Sequence, residues 1–149
     1  MLQDDFIAKF QTGLIQLKTE IESYPTEDSL WIVDADIKNS GGNLALHLIG
    51  NLNHFIGSAI GNTGYVRNRD LEFSDNGISK IKICNEIDLT LLMVKEVLSK
   101  LDDDDFKMIF PESKWPGKKV TTAFLLMHLL SHLFYHMGQI NYHRRIFGI

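Results

Sequence analysis

The stretch TTAFLLMHLLSHLFYHMGQINYHRRIF, residues 121–147, decides the fold. Its first threonines can cap a helix start, Arg144 and Arg145 suit the negative end of a helix dipole, and Gly148 stops it. Three earlier stretches show the same helical period. Phe6, Phe10, Leu14, Leu17 and Ile21 step by three or four residues, and Tyr24-Pro25 ends that stripe. Leu44, Leu48, Leu52, Phe55, Ile56 and Ala59 form a second stripe, preceded by Ser40 as N-cap and followed by the turn residues 61–64. Ile87, Leu91, Val94, Leu98 and Leu101 form a third, starting near Ser79. The spacing predicts helices over 2–23, 43–60, 78–101 and 121–147, an all-α four-helix bundle. The long connection 61–77 is able to carry the chain from one end of the bundle to the other, making its two flanking helices parallel.

Length and composition agree with this reading. The chain has 149 residues, which predicts a single domain over 1–149 with a core of its own. Apolar residues make up 44% and charged residues 23%, and the net charge is −4. That excludes a disordered chain and argues against nucleic acid as a partner. No apolar run approaches the length of a membrane span, and MLQDDFIAKF is no signal peptide, so the expected location is the cytoplasm. The lone Cys84 allows no internal disulfide and reads as a packed core thiol.

Asp102 to Asp105 follow the third helix and read as a solvated linker, since four carboxylates oppose a helix C-terminus. The EF-hand spacing for calcium is absent. Phe106, Met108 and Phe110 alternate, which predicts a short extended segment.

Six histidines stand out: His47, His54, His128, His132, His136 and His143. The last four fall within about an 80° sector of one helix. His47 and His54 share a face of the second helix, with Asn51 between them. Two histidines at i and i+4 can point at one ion, and a third from a facing helix leaves a tetrahedral site with one open position. Spacing alone does not choose the pair, because His128/His132 and His132/His136 have identical geometry. No Gly-rich phosphate loop and no GxSxG element competes with this reading.

The HxxxHxGQ element His132–Gln139 resembles the DinB/YfiT-like family of four-helix-bundle metalloproteins. Combined with His47-Leu48-Ile49-Gly50-Asn51 and with Arg67-Asn68-Arg69-Asp70-Leu71-Glu72-Phe73, it is similar to a small subgroup of that family. The resemblance covers about residues 30–149. It implies a divalent ion, zinc or nickel, held by His47, His132 and His136, with His128 and His143 as neighbours of the site and His54 outside it. It also implies a homodimer, for which Phe73, Phe110 and Trp115 are the apolar surface candidates. Many members carry arginine where Met137 stands, so a positive charge is missing beside the expected site. Arg69, Asp70 and Glu72 are expected to form salt bridges across the bundle, with a site-facing Asp70 or Glu72 as the minority reading.

Two functions follow. The resemblance implies a metal-dependent transferase that moves a low-molecular-weight thiol onto an electrophilic small molecule, or a metal-dependent hydrolase. The contrasting reading is a stress-related binding or scaffold protein whose metal is structural or absent.

Overall fold

The computed structural model describes residues 1–111 and 118–148. Its main helices are α1 (Leu2–Glu22), α2 (Gly41–Leu52), α4 (Lys80–Leu98) and α6 (Thr122–Phe147), with two short ones, α3 (Arg69–Ser74) and α5 (Asp103–Lys107). A 3-10 turn, Asp28–Trp31, precedes α2, and wider π turns, Asn53–Ile60, continue it. Among the described residues there is no strand, only the isolated bridges Asp34–Ile37 and Ile109–Thr121. No helix among them is long and apolar enough to cross a membrane.

The four apolar stripes meet in one core. Phe10, Leu14, Leu17, Ile21, Leu48, Leu52, Ile83, Ile87, Leu98, Leu129 and Leu133 are all buried in it. Side-chain pairs give the directions. Gln3 donates to the carbonyls of Leu98 and Leu101 while Lys18 reaches Asp88, so α1 runs antiparallel to α4. Glu20 meets Asn141 and Arg144, which makes α1 and α6 parallel. Asn53 bonds Thr90, and a Cβ on Gly61 would meet Val97, so α2 and α4 run parallel, as the long connection between them requires.

The helix starts follow local chemistry. Ser40, Ser79 and Thr121 each accept a hydrogen bond from the backbone N–H three residues on. Asn53 begins the wider turns, and its side-chain amide ties them to the Ile49 carbonyl and to Thr90.

Several expectations change. Asp102 to Asp105 are not a linker. Asp102 caps α5 in a reciprocal box with Asp105, and the other acids fill the first turn, where the dipole favours them. Phe106 therefore lies on α5, stacked on Phe6 at 5.6 Å, and the extended segment begins at Met108, with Ile109 bridged to Thr121. Phe110 is buried and Phe73 is half-buried, so neither forms an exposed apolar surface; Trp115 lies outside the described residues. Cys84 is buried, and burial pushes its thiol up, away from a nucleophile's range.

His143 is a structural group rather than a neighbour of the candidate site. It is buried, its Nε2 donates to the Ile32 carbonyl at 2.8 Å, and its Nδ1 meets the Tyr24 hydroxyl at 2.7 Å. The Ile32 bond places the proton on Nε2, so Nδ1 accepts from Tyr24. Burial lowers its pKa below the ordinary value, against the Ile32 bond that raises it. A lowered folded-state pKa contributes stability above the unfolded value of about 6.5, and that stability is lost as pH falls through the folded value. The thermal midpoint of metal-free protein should therefore drop on acidification below about pH 6.5, and the drop should be shallower in His143→Gln. A scan of the midpoint from pH 7.5 to 5 checks this; identical slopes in the two proteins would contradict it.

Candidate metal centre

His47 sits on α2, and His132 and His136 sit one turn apart on α6, which α2 packs against. Each offers one ring nitrogen, and the three donor atoms lie within 4.8 Å of one another. His47 Nε2 and His132 Nε2 are 3.1 Å apart. A tetrahedral zinc with bonds of about 2.0–2.1 Å would hold its nitrogens about 3.3 Å apart. The His132 and His136 rings lie 4.5 Å apart and nearly perpendicular, as are His47 and His136 at 5.2 Å. The three candidate residues thus converge, with one pair of donor atoms near the spacing a tetrahedral ion sets and all three within 4.8 Å.

The atoms behind the rings select the tautomers. His47 Nδ1 lies 3.0 Å from Glu72 Oε1. Glu72 is buried and paired bidentately by Arg67, through Nε and Nη2 at 2.8 Å each, so the carboxylate accepts and His47 Nδ1–H donates. That leaves the His47 Nε2 lone pair facing the other two rings. Arg67 Nη2 also stands 3.3 Å from His47 Nδ1, but two donors cannot bond, and the carboxylate takes both. His136 repeats the arrangement. Its Nδ1 donates to Gln139 Oε1 at 2.6 Å, while Gln139 Nε2 is turned to the Tyr135 hydroxyl. Metal-bound histidines characteristically hold such a partner on the second nitrogen. Burial lowers the pKa of His47 and of His136, opposed by Glu72 and by Gln139 respectively. Both rings are thereby biased to the neutral form that binds a cation.

The sequence between the helices explains how a carboxylate reaches His47. α3 presents Glu72 inward, and Asn43 at the start of α2 fastens it by donating to the carbonyls of Glu72 and Asp75. Phe73 covers the His47 ring at 4.9 Å, and the Arg69 guanidinium lies over Phe73 at 5.2 Å. Gly50 makes the space, since a Cβ there would meet a Glu72 carboxylate oxygen and lie 2.6 Å from its carboxyl carbon. The HLIGN and RNRDLEF segments are therefore two halves of one clamp. This corrects the salt bridges expected across the bundle. The described ion pair of Glu72 is local, with Arg67; Arg69 stacks on Phe73 and Asp70 is exposed. Glu72 takes the site-facing place, as an orienting carboxylate.

Gly50→Ala should gain about 0.8–1.0 kcal/mol of helix propensity. Displacing the Glu72 carboxylate costs about 1–3 kcal/mol of overpacking, so the variant should melt lower than wild type. A melting point at or above wild type would remove the clamp from the account.

The remaining histidines separate by position. His128 stacks on His132 with centroids 6.3 Å apart, and His54 packs against Phe55; neither joins the three converging nitrogens. Met137 is buried and packs in the hydrophobic core.

Comparisons with known proteins agree with this architecture. A crystal structure of a conserved protein from Enterococcus faecalis aligns with TM-score 0.79 at 13% identity, covering 97% of this chain and 95% of that one. A crystal structure of a DinB-like protein from Bacillus cereus aligns with TM-score 0.76 at 20% identity, covering 98% of this chain and 94% of that one. The fold is thus DinB-like. None of the curated proteins matches the chain. A family model matches residues 4–148, and the chain belongs to that family, described as Protein of unknown function (DUF1572).

Proposed function

We propose that this protein is a divalent-metal-dependent enzyme whose ion is held by His47, His132 and His136, zinc and nickel being among the cations that imidazoles suit. One observation carries the reading. Three histidines converge from two helices, and the most buried of them is locked by a buried, arginine-paired carboxylate. A surface coincidence of histidines needs no such support.

A cation held this way supplies an electrophile that acidifies whatever occupies its fourth position. The chain's own contribution is orientation. Glu72 and Gln139 fix the rings, and Phe73 covers His47. Three protein ligands leave a position for chemistry, whereas a structural zinc is enclosed by four. The reaction classes that fit are transfer of a low-molecular-weight thiol to an electrophile and metal-dependent hydrolysis.

Neutral imidazoles bind the ion, so protons compete with it. Adding zinc or nickel should raise the thermal midpoint at pH 7.5 and raise it much less at pH 5. An equal shift at both pH values would place the ion on carboxylates, with Asp102 to Asp105 the first to examine, and would favour the scaffold reading.

A further inference from the structure

The segment Asp34-Ala35-Asp36-Ile37-Lys38-Asn39 joins the 3-10 turn to α2. It closes on itself. The Asp34 N–H donates to the Ile37 carbonyl at 3.2 Å, and the Ile37 N–H donates to the Asp34 carbonyl at 2.8 Å. Between them Ala35 has a φ of 47°. A Cβ disfavours that left-handed conformation, where glycine or asparagine is the ordinary occupant. Strained backbone of this kind gathers at ligand clamps.

The turn lines a cavity of about 450 Å³, a size that suits a small molecule. Ile37 of the turn and Tyr142 and Ile146 of α6 meet there, three large apolar side chains that the fold leaves exposed. The Arg145 guanidinium lies over the Tyr142 ring at 5.3 Å and steadies it.

Two opposite charges line the same cavity. Asp36 and Lys38 stand two residues apart, so at most about 7 Å separates their Cα atoms. They form no ion pair with each other, and among the described residues no other side chain pairs with either. Asn39 lines the cavity next to Lys38 and adds an amide donor. The lining thus offers an acceptor for a cation, donors for an anion and an apolar surface, all within the reach of one small molecule.

We propose that this cavity binds a free amino acid with an apolar side chain. Its ammonium donates to Asp36, its carboxylate accepts from Lys38 and Asn39, and its side chain covers Ile37, Tyr142 and Ile146. An amino acid carries both charges on one carbon, so it is short enough to bridge two residues this close. The inference goes beyond the metal reading and does not depend on it.

Metal-free protein is titrated with L-phenylalanine and followed by amide chemical shifts. The shifts should move at residues 36–39 and at Tyr142. 2-Phenylethylamine lacks the carboxylate and 3-phenylpropanoate lacks the ammonium, and each should bind more weakly than phenylalanine. Asp36→Asn should weaken phenylalanine by about three- to tenfold, the worth of one charge-assisted hydrogen bond at an exposed site, and leave 3-phenylpropanoate unchanged. Lys38→Gln should weaken phenylalanine equally and leave 2-phenylethylamine unchanged. Both positions are exposed, so both variants should keep the wild-type fold, which the same spectra report. No shift at the cavity up to the solubility limit of phenylalanine overturns the inference. So does binding that ignores both substitutions, or an analogue with one charge that binds as tightly as phenylalanine.

Discussion

Replacing His132 by alanine is expected to abolish stoichiometric binding of zinc or nickel, while His143→Ala leaves it intact. His132 is the ring that faces His47 Nε2 at 3.1 Å and His136 with centroids 4.5 Å apart, so it belongs to both contacts that define the centre. Two histidines from different helices remain without it. An ion present at a hundredfold excess over its Kd stabilises the folded state by about 2.7 kcal/mol, so the thermal shift on adding metal should vanish together with the stoichiometry. His143 sits two turns away with its nitrogens committed to Ile32 and Tyr24. Its removal should lower the melting point and leave the metal-induced shift in place. Equilibrium dialysis with elemental analysis reads both variants. Full binding in His132→Ala would transfer the site to other residues.

Glu72→Gln should weaken metal affinity by about 10- to 100-fold, the range typical of a lost orienting partner behind a metal-bound histidine. The amide keeps the shape of the carboxylate but carries one acceptor oxygen where two served. Glu72 Oε1 accepts from His47 Nδ1 and from Arg67, and Oε2 accepts from Arg67 Nε. Gln can face His47 with its oxygen only by turning its N–H donors on Arg67, itself a donor. One orientation turns an N–H on the Arg67 donors, and the other turns it on His47 and frees the His47 tautomer. Isothermal titration with zinc measures the loss. An unchanged affinity would mean that Glu72 only fastens α3.

The helical framework was legible because burial enforces it. Each stripe at helical spacing, from Phe6 to Ile21 on α1 and from Leu125 to Ile140 on α6, carries residues that the core excludes from water. The histidine pair was not decidable from spacing, since an i,i+4 step looks alike at 128/132 and at 132/136. What separates them is where α2 brings His47, a fact of packing between segments 85 residues apart.

Glu72 was named beside Asp70 as a site-facing candidate, but its orienting role behind His47 was not legible, for a different reason. It sits on a six-residue helix inside a connection with little periodicity, and its partner Gly50 matters through the side chain it lacks. The glycine in HLIGN and the acidic residue in RNRDLEF were the available signal, legible only as a pair. Gln139 was visible in HxxxHxGQ, three residues after His136, where a helix places it to hold the ring. The acidic run 102–105 misled because its charges were assigned to the end of α4. Asp102 instead opens a new helix, where the same charges stabilise it.

The most direct test of the three-histidine centre is an anomalous-scattering map from crystals of the protein grown with zinc near pH 7.5. The expected result is one strong peak at about 2.0–2.1 Å from a ring nitrogen of each of His47, His132 and His136, with Glu72 still bonded to His47 Nδ1. A map with no peak among those rings, or with its peak at Asp102 to Asp105, would contradict the account.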